Sequence, residues 1–127
     1  MEMIKVKTSE LTGAALDWAV GISTGLKFDH AECFPEYWVD GKMHPTIEPG
    51  RQSIAPYSPS TDWARCGIFI GTLVHWIEEQ GPDYWGARCG GEYGYASTPM
   101  VAICRAVVTG KLGEEIEVPV ELVKAAS

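Results

Sequence analysis

Residues 84–110, YWGARCGGEYGYASTPMVAICRAVVTG, carry most of the signals that decide the fold of this 127-residue chain. Residues 84–88 and 92–95 are short segments predicted to be strands, and the two glycines between them favour a tight turn. The threonine-proline pair at 98–99 supplies an N-cap and a first helical residue, which predicts a helix that ends at Gly110. A hairpin followed by a helix favours an α+β domain.

A strand and a helix are also predicted near the start of the chain. Ile4 and Val6 alternate with lysines, which is typical of a short strand with one buried face. Thr12 is a good N-cap with a leucine on each side at helical spacing, and it predicts a helix over residues 13–24. We therefore expect one small α+β domain over residues 1–127, in which a short antiparallel sheet packs with two main helices.

The middle of the chain is less regular. An extended run at 34–39 followed by an Asp-Gly turn favours a hairpin, although four prolines impose irregular backbone across residues 26–56. We expect this connection to act as a lid or flank to residues 57–63. The apolar residues that follow fit both a helix and a strand, and we predict strand character at 68–70 and a helical turn at 72–79.

Composition excludes several classes of function. Seventeen acidic residues against ten basic ones give a net charge of −7, which opposes binding to an extended nucleic acid. The longest apolar run is far short of the ~20 residues of a membrane helix, and no signal peptide is visible, so we expect a cytosolic protein with reduced cysteines. The four cysteines form no paired spacing of a zinc site, and neither a metal nor a cofactor is predicted.

The heptapeptide YSPSTDW at 57–63 concentrates hydroxyls, a carboxylate and two rings. Such a segment can bind a polar ligand, with a ring stacked on Trp63 and hydrogen bonds to its neighbours. In the structural alternative, Ser60 or Asp62 caps a turn and Trp63 belongs to the core. The candidate ligand-binding residues are Tyr57, Ser58, Ser60, Thr61, Asp62, Trp63, Thr98 and Arg105.

The last two of these candidates belong to the second predicted helix. Free amides at its start, near Thr98, favour an anion, but the glycine spacing before it matches no phosphate-binding loop and an ordinary cap is the alternative. Arg105 lies in the middle of that apolar helix, and we expect it either to contact a ligand or to pair with Asp17 or Asp62. Asp17 itself is expected on a solvated helix face. No catalytic constellation has a recognisable spacing, so an enzyme has no positive support.

Three motifs together are similar to one family. Residues 12–20, TGAALDWAV, the heptapeptide at 57–63, and the pair at 98–99 with Ala102 and Arg105 resemble the NinX-like family of tailed-phage proteins, a domain of unknown function. The resemblance implies a phage accessory protein in the cytoplasm of the host cell, without a known activity.

From this resemblance we expect a protein that counteracts host defence by sequestering a nucleotide-derived small molecule without turnover, as a homo-oligomer. One alternative is an acidic interaction module that binds and inhibits a host protein through Glu114, Glu115 and Glu117. A nucleotide-degrading enzyme is another.

Overall fold

The computed structural model describes residues 3–24, 38–39, 42–43, 59–120 and 122–123. The strands and α-helices in these ranges are β1 (Met3–Lys7), α1 (Gly13–Ser23), β2 (Trp38–Val39), β3 (Lys42–Met43), α2 (Trp63–Cys66), β4 (Val74–Gly81), β5 (Tyr84–Cys89), β6 (Glu92–Ala96), α3 (Pro99–Leu112) and β7 (Glu115–Pro119). Short 3₁₀ turns occupy Thr8–Glu10 and Gly67–Phe69. The α+β prediction with two main helices is confirmed. No described helix has the length and apolar character needed to cross a bilayer.

The largest sheet is an antiparallel meander of β4, β5 and β6, and α3 packs against one of its faces. Residues of β6 alternate accordingly: Gly94 and Ala96 are buried, whereas Tyr93 and Tyr95 are exposed. A Cβ on Gly94 would lie 2.3 Å from the backbone nitrogen of Ala106 on α3. Glycine is therefore required at this position because the helix rests directly on the strand backbone.

A second, two-stranded sheet joins the two ends of the described chain. β1 pairs with β7 in antiparallel register, from Met3 opposite Pro119 to Lys7 opposite Glu115. α3 contacts both α1 and the meander, so it lies at the centre of the molecule. The largest fully buried side chains include Leu16 and Val20 of α1, Ile103, Val107 and Val108 of α3, Val74 of β4, Val118 of β7 and Leu122, which follows β7. Their burial supplies the main stabilisation of the fold.

Local signals predicted the positions of the first strand, the first helix and the β5–β6 hairpin correctly. The buried face expected for the first strand was wrong, because Ile4 is 41% exposed and Val6 is only partly buried. Two described fragments of the expected 34–44 hairpin, β2 and β3, also pair antiparallel. The remainder of residues 26–56 lies outside the described ranges. The acidic segment after Gly113 forms β7.

The prediction for residues 68–79 was wrong in both halves. The Gly67–Phe69 segment is a 3₁₀ turn, and β4 runs from Val74 to Gly81. Between them the chain turns at Gly71, whose φ of +86° suits glycine. The register of β4 shifts between Val74 and Trp76, and such a bulge disturbs the alternation by which a strand is recognised.

The predicted helix end at Gly110 was also wrong. α3 continues to Leu112, and Gly113, with a φ of +96°, is its C-cap. A Cβ on Gly110 would lie 2.8 Å from the carbonyl oxygen of Cys89. Gly110 therefore provides close packing of the helix on β5 and does not terminate it.

Candidate functional site

The residues before α2 are held against α1 by a buried carboxylate. The backbone nitrogen of Ser60 donates to Oδ1 of Asp17 at 2.8 Å, and its hydroxyl donates to Oδ2 at 3.0 Å. Both side chains are buried. The expectation that Asp17 lies on a solvated helix face was therefore wrong. We call residues 59–63, which include this attachment, the Ser60 segment.

The attachment places Asp17 in an apolar environment. Burial raises the pKa of this carboxyl group to about 7, although its two hydrogen bonds from Ser60 oppose the shift. The thiol of Cys104 lies in the same interior, and its pKa is raised by a hydrogen bond with Cys66 and by burial. A buried thiol with a raised pKa stays protonated and is a poor nucleophile.

Pro59 is buried as well, whereas residues 61–63 of the Ser60 segment lie nearer the surface. Asp62 accepts a hydrogen bond from the backbone nitrogen of Ala64 at 3.0 Å and caps α2, as the structural alternative predicted. Thr61 is exposed. Trp63, however, does not belong to the core, because 49% of its surface is exposed. The segment therefore exposes the Trp63 ring to solvent, while its Ser60 is fixed to Asp17.

Two of the remaining candidates serve α3. The hydroxyl of Thr98 accepts from the backbone nitrogen of Val101 at 3.3 Å, as expected of an N-cap. Arg105 donates from Nε to the carbonyl of Leu11 at 2.9 Å and from Nη1 to the carbonyl of Tyr95 at 2.7 Å. It pairs with neither Asp17 nor Asp62, so the expected ion pair was wrong. Burial lowers the pKa of its guanidinium.

The structure thus brings together only part of the predicted site. Ser60, Thr61, Asp62 and Trp63 form one continuous segment. In the described residues, no hydrogen bond joins Thr98 or Arg105 to it. Tyr57 and Ser58 lie outside the described ranges.

A groove beside β6 was not found from the sequence. Two adjoining cavities of about 500 and 480 Å³ share Ser9, Tyr93 and Thr109 on their walls. The rings of Tyr84, Tyr95 and Tyr93 follow one another nearly parallel, with centroid separations of 5.7 and 6.2 Å. The exposed tyrosines at alternate positions of β6 were the available signal for this surface. We call these adjoining cavities the β6 groove.

Comparison with known proteins identifies one family. The family model described as Bacteriophage P22, NinX matches residues 7–111, which is most of the chain and includes the Ser60 segment, the β6 tyrosines and all of α3 except its last residue. No curated protein matches the chain. Among the described residues, no group of three or more His, Cys, Asp or Glu side chains is arranged to hold a metal ion.

Proposed function

The chain belongs to the bacteriophage P22 NinX family, and we propose that this phage accessory protein binds a nucleotide-derived small molecule on Trp63 and holds it without turnover. The observation that carries the proposal is a half-exposed indole on a segment anchored through Ser60 to a buried carboxylate. An exposed ring on an anchored backbone offers a flat surface at a fixed position.

The attachment of Ser60 to Asp17 supports a ligand contact at Trp63, because burial of the Asp17 carboxylate costs free energy. Burial of Asp17 opposes its charged form, as the raised pKa shows. A surface turn does not require so deep an attachment, whereas a binding surface gains affinity when it is ordered before the ligand arrives. Stacking of one base on an aromatic side chain contributes roughly 1–3 kcal/mol, so an ordered Trp63 can supply a substantial share of the affinity.

The proposal of binding without turnover draws on the position of Asp17. Its pKa of about 7 would suit a general acid or base. Its side chain is nevertheless buried, and both carboxylate oxygens accept hydrogen bonds from Ser60. Asp17 is thus placed to hold the segment and not to contact a ligand on the outer face of Trp63.

Family membership also supports a proposal for the role of this protein in the infected cell. A phage protein of this kind would sequester a nucleotide signal of host defence in the cytoplasm of the infected cell. We further propose that it acts as a homo-oligomer, since sites for such ligands frequently lie where subunits meet.

The test combines native mass spectrometry with thermal shifts in the presence of cyclic nucleotides and ADP-ribose-derived nucleotides. We expect one class to be retained intact and to raise the melting temperature of the wild-type protein. Trp63→Ala should lose this shift and Trp63→Phe should keep part of it. Ile70→Ala is the matched control, because it removes another exposed apolar side chain, 47% exposed, outside the Ser60 segment.

Other outcomes would decide between the proposal and its alternatives. Absence of stabilisation by every nucleotide tested would refute ligand sequestration. Conversion of the nucleotide into a product, detected by chromatography, would establish the degrading enzyme.

The acidic interaction module has weaker support from the geometry. β1 places Lys5 opposite Glu117 and Lys7 opposite Glu115, so two of the three glutamates face a cross-strand lysine. This pairing reduces the excess negative charge on that surface. Under this alternative, replacing Glu114, Glu115 and Glu117 together by glutamine would abolish binding to the host protein. Trp63→Ala would leave that binding intact.

A further inference from the structure

The outer edge of β6 carries backbone groups that point away from the sheet. β6 pairs only with β5 among the described strands. Their two-residue turn makes Cys89 and Glu92 a hydrogen-bonded pair, so alternation turns the amides and carbonyls of Tyr93 and Tyr95 outward. The hydrogen bond from Arg105 to the Tyr95 carbonyl agrees with this direction. No residue of ranges 3–24 and 59–120 hydrogen-bonds the outward groups of Tyr93.

This edge lines the β6 groove. Tyr93 lines both cavities, and Gly94 and Tyr95 line the second. Residues 7–9, from the end of β1 into the turn that follows it, and Thr109 of α3 also line the groove. An unpaired strand edge in an open groove has room for one additional extended chain.

The charges around the groove favour a basic occupant. Four carboxylates line it, from Asp83, Glu92, Glu114 and Glu115. Its two basic residues are Arg105 and Lys7, which lies opposite Glu115 in the β1–β7 ladder, so negative charge remains in excess. The Nε and Nη1 of Arg105 already donate to backbone carbonyls. The exposed tyrosine rings add faces on which a lysine or arginine side chain can rest.

We propose that the β6 groove binds an extended, lysine- or arginine-containing segment of a partner protein, which pairs as an additional strand with the edge of β6. The Tyr93 amide and carbonyl provide the main-chain hydrogen bonds, and the glutamates select basic side chains. This surface is separate in sequence from the Ser60 segment, and the inference does not depend on nucleotide binding there.

A second copy of this chain fits the groove poorly. Two copies would bring eight carboxylates together at this surface. A basic extended segment meets no such repulsion.

The test uses a fluorescein-labelled peptide of alternating lysine and valine, with the wild-type protein and measurement by fluorescence anisotropy. We expect saturable binding that weakens as salt increases and that is absent for an alternating glutamate and valine peptide. N-methylation of the lysine-valine peptide at alternate amides should weaken binding by roughly fivefold to tenfold, because it removes main-chain hydrogen bonds.

Two variants at position 93 distinguish the contribution of the backbone amide to binding from that of the tyrosine ring. Tyr93→Pro removes the outward amide without removing a bond to β5, and it should lose binding. Tyr93→Ala keeps the amide and should retain weaker binding. Ser9→Trp should also abolish binding, because Ser9 lines both cavities and a large ring there fills the groove. Thermal melts establish that each variant is folded.

Equal binding of the acidic and basic peptides would refute the charge assignment. Unchanged binding by folded Tyr93→Pro, or by the N-methylated peptide, would refute strand addition. Sedimentation showing a wild-type dimer that Ser9→Trp dissociates would instead identify a second copy as the occupant and overturn the proposal.

Discussion

Asp17 on α1 and Arg105 on α3 are opposite charges on helices that pack together, yet each is used in a different way. Asp17 is buried and accepts two hydrogen bonds from Ser60. Arg105 is partly exposed and donates to the carbonyls of Leu11 and Tyr95. Asp17 fixes the Ser60 segment to α1, and Arg105 fixes Leu11 and Tyr95 to α3. The two charged groups do not neutralise each other.

The difference between the two lies in their solvation. Burial shifts the pKa of Asp17 to about 7, so the carboxyl group changes charge near neutral pH. Burial also lowers the pKa of Arg105, but a guanidinium begins so high that it remains charged. The attachment at Asp17 should therefore depend on pH, and the attachment at Arg105 should not.

The largest expected effect is the pH dependence that Asp17 confers on stability. Its folded-state pKa of about 7 lies above the ordinary 3.8, so the folded state binds the proton more tightly. This contribution is fully present below pH 4 and is lost as pH rises to about 7. The shift corresponds to roughly 4 kcal/mol in the free energy of unfolding.

Asp17→Asn is the variant that isolates this term, since it keeps the volume and an acceptor oxygen but does not titrate. Urea denaturation at pH 4 and pH 8 should show that stability relative to this variant falls as pH rises. A difference between the two proteins that stays constant with pH would contradict the assignment.

Removal of the second attachment should have a smaller effect that does not vary with pH. Arg105→Ala loses two charge-assisted hydrogen bonds to carbonyls, and we expect a loss of about 2–3 kcal/mol in the free energy of unfolding. Arg105→Lys should recover about half, because a single ammonium cannot reproduce the planar geometry of two donors. Chemical denaturation measures both variants.

Arg88 provides the matched control for this experiment, because its side chain is exposed on β5. Arg88→Ala should change the unfolding free energy by less than about 0.5 kcal/mol. Equal effects at positions 88 and 105 would show that the bonds of Arg105 to Leu11 and Tyr95 contribute little.

The smallest effect is expected from Ser60→Ala, which removes one of the two hydrogen bonds to Asp17 and keeps the other. We expect a loss of about 1–2 kcal/mol. The pKa of Asp17 should also rise further, because the hydroxyl bond lowers it. Denaturation and NMR titration measure the two quantities, and Ser97→Ala, at an exposed serine, is the control. An unchanged pKa would show that the hydroxyl bond has no influence on the carboxyl group, and that burial and the backbone bond set its pKa.

The sequence predicted best those elements whose determinants are local. Thr98 and Pro99 define the start of α3, and Gly90 with Gly91 closes the β5–β6 hairpin, as expected from their order along the chain. Within the predicted site, the structural alternative allowed Ser60 or Asp62 to cap a turn, and Asp62 caps α2. Each of these structures depends on residues within a few positions of one another.

Features that depend on distant contacts were missed. Ser60 and Asp17 are 43 positions apart, and no local pattern shows that the carboxylate faces inward. The glycine at 110 resembles a helix end, but its cause is the approach of Cys89 on another element. The groove beside β6 likewise requires residues 7–9 to lie across from Tyr93.

The pairing of β1 with β7 has a consequence for the order of folding. Every partner in this ladder is more than a hundred positions from its mate, so the chain must close a very large loop to form it. The β5–β6 hairpin and α3 are contiguous and need no such closure. Assembly should therefore begin within residues 84–112, and the terminal ladder should join only after α3 offers it a surface.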